Sequence, residues 1–154
     1  MVDEKQSGII GDFMSGVGVD HRGRNINTVH ELNDVEVEQT HDFIQWLFPL
    51  DESSNAVPSA PVLSQADIEV IRSNVIAQSN MKHSATWFLG FLARNDQWRT
   101  RYNHNHLRIT RVVKSLRLLT ADNEADEFKT AIFELLGDDL HLIDSKAVEF
   151  WKGA

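Results

Sequence analysis

Apolar positions recur at helical intervals through most of this chain. Between Asn105 and Leu119, the residues Ile109, Val112, Val113 and Leu116 follow the i, i+3, i+4, i+7 rule and so share one stripe of a helix. Arg108, Arg111, Lys114 and Arg117 fall on every third position and are expected to form an opposed, wholly cationic face. Upstream, Phe43, Ile44, Leu47 and Phe48 predict the inward side of a helix over about 35–48, with Asp34 as its N-cap and Pro49 as its stop. Ser64 and Asp67 have the spacing of a capping box ahead of Ile68, Ile71 and Val75. Met81, Ala85, Phe88, Leu89 and Leu92 predict a central helix capped by Asn80. Ala125, Phe128, Ile132, Leu135 and Leu136 predict another, capped by Thr120 or Asp122 and ended by Gly137. A last short helix over about 145–152 is expected to dock through Val148, Trp151 or both. Apart from residues 16–19, no alternating segment is long enough for a strand. The pattern predicts an all-α fold: a compact irregular bundle of five or six helices.

Punctuation and composition sharpen this reading. Residues 1–8 are expected to be disordered and residues 9–154 to form a single domain. The 154 residues are 42% hydrophobic and 25% charged, ordinary for a soluble domain, and contain no apolar run of the ~18 residues that a membrane span needs. The acidic, polar start MVDEKQSG lacks the basic and apolar regions of a secretory signal. The chain has no cysteine, which excludes disulfides, thiol catalysis and cysteine-ligated zinc and fits a cytoplasmic location.

Charge is divided along the chain. Residues 1–52 hold 11 acids and 3 bases, residues 53–121 hold 3 acids and 9 bases, and residues 122–154 hold 9 acids and 3 bases. Two readings stay open: the basic centre pairs with the acidic ends inside the fold, or it faces an anionic ligand. Arginine forks suit carboxylate and phosphate, and helix N-termini add N–H donors. The overall net charge of -8 disfavours nucleic acid as the partner. His104 and His106 flank Asn105, which reads first as a helix N-cap. A metal site there would need further ligands from elsewhere. No nucleophile motif or phosphate-cradling loop is present.

Two blocks carry a family resemblance: HDFIQWLFPL (His41–Leu50), followed by Ser54 and Asn55, and HNHLRITRVVKSLR (His104–Arg117). Together they resemble the conserved N-terminal domain of the opioid growth factor receptor family. The likeness extends upstream to Asp20, Gly23 and Arg24 and downstream to Ser145 and the VEFW segment. The resemblance implies a domain whose animal relatives bind the pentapeptide Met-enkephalin and restrain cell proliferation from the nucleus. It implies no catalytic residues. This chain is expected to be a stand-alone, microbial version.

The expected function is a non-enzymatic binding module. Its partner would be an anionic small molecule, peptide or protein, with no cofactor, no metal and no membrane involved. His104, Asn105, Arg108, Arg111 and Lys114 are the expected ligand-binding residues, joined by Gln45 and Trp46 from the other motif. Two alternatives remain: a structural or interaction domain whose arginines are internally paired, and a metal-assisted enzyme using His104 and His106.

Overall fold

The computed structural model describes residues 8–54 and 57–154. Apart from Gly8, the stretch expected to be disordered lies outside the described residues, as does Asn55 of the family motif. Among the described residues there are nine α-helices, one 3-10 helix and no strand, the only extended pairing being a parallel bridge between Leu50 and Val62. The all-α expectation holds. The count exceeds six because the first 50 residues fold as short helical turns. The chain forms two compact units, residues 1–84 and 85–154.

In the first unit, α1 (Ile9–Met14) turns at Gly16 and comes back on itself: the Gly18 N–H bonds to the Asp12 carbonyl at 3.0 Å. A Cβ at Gly18 would lie 2.7 Å from Asp12 Cβ, so only glycine fits this return. α2 (Ile26–His30) is capped by Asn25, and α3 (Asp34–Gln39) by a capping box between Asn33 and Glu36. The long helix expected over 35–48 is instead two, because the backbone turns extended at Thr40 before α4 (Ile44–Leu47). Between the two helices, Asp42 pairs with His21, Arg22 and Arg24. α5 (Gln65–Ser73) has the expected capping box of Ser64 and Asp67. α6 (Val75–Arg94), whose residues 75–84 belong to this unit, starts six residues before the start expected after Asn80. Asn74 accepts from the Ala77 N–H, while Asn80, well inside the helix, donates to the Met14 carbonyl at 2.8 Å. Phe13, Met14, Val29, Phe43, Leu47, Phe48 and Ile71 form the core of this unit.

The second unit is built on α7 (His104–Leu119), which packs lengthwise on α8 (Asp122–Leu136) and also against α9 (Ser145–Gly153). A 3-10 turn, Gly137–Leu142, links the last two. Gly137 takes φ +47°, which stops α8 where expected. Thr120 caps the end of α7 through its backbone N–H and its hydroxyl, both on the Leu116 carbonyl; it does not begin α8. The predicted stripe is the core: Ile109, Val112, Val113 and Leu116 are all at most 1% exposed. Trp98 and Trp151 are fully buried, and Trp98 donates Nε1–H to the Leu92 and Asn95 carbonyls, both at 2.9 Å.

Candidate functional site

The cationic residues of α7 do not share one face. Each step of three residues falls about 60° short of a full turn at ~100° per residue, so Arg108 and Arg117 lie about 180° apart. Arg108 is buried at 5% exposure and donates to Asn105 Oδ1 at 3.2 Å. Arg111 and Lys114 are half-buried. Arg117 bonds Asp122 and Asp126 at 2.9 and 2.6 Å, and Arg99 meets Asp139 at 3.3 Å. The expected cationic outer face is therefore divided among burial, internal pairing and surface.

The helix start is where exposed chemistry gathers. Asn103, not Asn105, is the N-cap of α7 and accepts from the Asn105 N–H at 2.9 Å. Asn105 is 1% exposed, whereas His104 is exposed. Here the first turns of α7 and α9 border a groove of about 570 Å³. Tyr102, Leu107 and Phe150 line it and are 68%, 67% and 64% exposed, far more than a monomer core leaves for such side chains. Arg101 places its guanidinium 5.2 Å from the Tyr102 ring centroid, and His104, Lys146 and Asp144 also line the groove. α9 starts from Asp144, whose side chain makes no cap bond, so the N-terminus of α9 presents N–H groups at this groove, whereas the first donors of α7 are taken by Asn103. Of the seven expected ligand residues, His104 alone lines the groove.

The structural part of the groove wall is His106. It is 6% exposed and its Nε2 lies 2.7 Å from the Trp98 carbonyl. Burial pushes its pKa down, partly offset by that carbonyl and by Asp144, and the short contact to a carbonyl requires Nε2–H to donate. Trp151 donates to the His106 carbonyl at 3.1 Å and packs edge-on to its ring. These bonds assign His106 to holding α9 on α7. No group of three or more metal-ligating side chains occurs among the described residues. No helix among them is long and apolar enough to cross a membrane.

Gln45 and Trp46 belong to the first unit. Trp46 is 8% exposed, stacks against His21 with ring centroids 6.0 Å apart, and takes the edge of Phe13. Beside them, Asp20 is held by the Arg22 and Arg24 N–H groups and by Arg24 Nε at 2.6 Å. Arg24 also reaches Asp42. This network explains the motif positions Asp20 and Arg24 as the fastening of the loop between α1 and α2.

A model of the opioid growth factor receptor (OGFr) conserved region matches residues 24–151. The chain belongs to this family. The opioid growth factor receptors of human, rat and mouse are each 32% identical to it over 98 residues, covering 52% of this chain. The chain spans 14%, 17% and 15% of the length of those three relatives. No solved structure matches it. The OGFr conserved region, as matched here, includes every residue of the α7–α9 groove. Sequence periodicity marked the buried side of α7 but missed Leu107, Lys146 and Phe150 as walls of a groove. The signal available was Leu107, a large apolar residue off the helix stripe, and Phe150 beside the buried Trp151.

Proposed function

We propose that the α7–α9 groove makes this domain a binding module for an acidic peptide that carries an aromatic or aliphatic anchor. The observation that supports it most is the pairing of three exposed apolar side chains, Tyr102, Leu107 and Phe150, with the cations Arg101 and Lys146 at two helix N-termini. Apolar walls hold the anchor, and the uncapped N-terminus of α9 and the two cations hold a carboxylate. Asp144 is the one acid lining the groove, so it orients the anion toward Arg101 and Lys146. The relatives are named as receptors for a growth factor of the opioid class, which agrees with a peptide ligand. The anionic partner expected from the sequence is kept; its place moves from the outer side of α7 to the start of that helix.

Fluorescence titration tests this reading. Met-enkephalin, which offers a carboxylate with aromatic and thioether side chains, is compared with its C-terminally amidated form and with an acidic peptide lacking aromatic residues. Saturable binding that weakens on amidation and on loss of the aromatic anchor supports the reading. Equal response to all three, or none, rejects it.

A second reading is supported by the pairs Arg117–Asp126 and Arg99–Asp139: much of the basic segment serves the unit's own cohesion. The two readings involve different residues.

A further inference from the structure

The motif residue Gln45 is 5% exposed, and its Oε1 is buried without a hydrogen-bond partner among the described residues. A buried carbonyl left without a donor is costly, and such groups are normally satisfied by protein or by ordered water. Gln45 lines a small recess of about 20 Å³ together with Asp42, Ser59, His21 and Trp46. That volume is above the threshold of roughly 10–15 Å³ for one water and far below that of a drug-sized ligand. The polar lining offers acceptors: a carboxamide oxygen, a carboxylate and a hydroxyl. The Asp42 carboxylate and the partnerless Gln45 Oε1 disfavour an anion. A cation is disfavoured because Asp42 is already neutralised by Arg22 at 2.6 Å and Arg24 at 3.3 Å. What fits is a neutral group that donates.

We propose that the Gln45–Asp42–Ser59 recess binds one neutral hydrogen-bond donor of the size of water. The donor is water itself, or the terminal hydroxyl or carboxamide NH2 of a small molecule. His21 and Trp46 also line a larger cleft of about 470 Å³ with Ile9, Gly18 and Val19, which gives the body of such a molecule a place to lie. His21 stands at both, stacked on Trp46 and held by Asp42 Oδ2 at 3.0 Å. This site is in the first unit and is independent of the peptide groove.

The test has a sign. Gln45→Leu keeps most of the volume and removes the acceptor. If the recess is filled, the variant loses a hydrogen-bonded partner and its melting temperature falls by about 2–4 °C or more. If the carbonyl is unsatisfied in solution, the same change relieves it and the melting temperature rises, which overturns the proposal. Should Gln45→Leu fail to fold, a crystal structure of the unaltered protein at water-resolving resolution decides. A density peak within hydrogen-bond distance of Gln45 Oε1 is expected, and its absence overturns the proposal. Crystals soaked in acetamide separate the two sources: planar density in the recess assigns the donor to a ligand amide, and an unchanged spherical peak assigns it to water.

Discussion

Arg117 Nη2 and Asp126 Oδ1 meet at 2.6 Å, and the same guanidinium holds Asp122 at 2.9 Å. α7 and α8 are thus stapled near the turn that joins them, by a cation that sequence spacing had assigned to an outward face. The Arg117 hydrogen bond holds the Asp126 carboxyl below the ordinary carboxylate range. A depressed carboxylate favours the fold at pH above its unfolded value and loses that effect as pH falls through its folded value.

Both partners are substantially exposed, so solvent screens the pair. Asp126→Asn is expected to lower the melting temperature only slightly at neutral pH and low salt. The difference should vanish at ~1 M NaCl, where the screening length is about 3 Å. A large, salt-independent drop would show that the staple carries core stability, contrary to its exposure.

His30 gives a pH dependence of the same sign, set in a higher pH window. Burial, aided by the neighbouring His83, lowers its pKa to about 4, and its Nε2 lies 2.8 Å from the fully buried Ser84 hydroxyl. The folded chain therefore resists protonation that the unfolded chain accepts near pH 6.5. Its contribution is whole above about 6.5 and declines as pH drops toward 4. Denaturant midpoints measured from pH 7 to pH 4.5 should fall, and a His30→Gln variant should show a flatter profile over that window. Identical slopes in both proteins would remove His30 as the cause.

Gly18 predicts a steric outcome. A methyl group there meets Asp12 Cβ at 2.7 Å and the Asp12 and Phe13 backbone at 3.1 Å, and backbone cannot swing aside as a long side chain can. Gly18→Ala should cost about 1–3 kcal/mol in urea unfolding, the range for forced overpacking. Gly23→Asn, with nothing within 4 Å of its Cβ position and a φ of +78° that asparagine tolerates best, is the milder control.

What the sequence disclosed follows from the range of the forces involved. The stripe Ile109, Val112, Val113 and Leu116 was legible because a 3.6-residue period is local. The capping box at Ser64 was legible for the same reason. The break at Thr40 was not, and neither was the pairing of Asp42 beside it with residues about twenty positions earlier. Burial of Arg108 was hidden because charge on a helix reads as solvent-facing until the neighbouring helices are placed. The groove was hidden because its walls come from residues 101–110 and 144–150, which only packing of α9 on α7 brings together. The family blocks were legible, yet they mark mostly buried positions: Asn105 and Arg108 sit inside, next to the exposed His104 and Leu107 that border the groove.

That alternation allows binding and folding to be separated on a single helix. Leu107 is 67% exposed, whereas Ile109, two residues on, is fully buried. Leu107→Ala should leave stability within about 0.5 kcal/mol, as surface substitutions do, because no core contact is lost. Ile109→Ala should cost about 2–5 kcal/mol through the cavity it leaves. For the acidic peptide the order reverses. Leu107→Ala and Phe150→Ala remove the apolar wall and should weaken binding at least several-fold, and Arg101→Ala should weaken it more at low salt than at high salt. Isothermal titration of each variant, after its fold is checked by circular dichroism, reads these differences directly. If Leu107→Ala, Phe150→Ala and Arg101→Ala all bind the peptide as the unaltered protein does, the groove is not where it docks, even if the domain binds it.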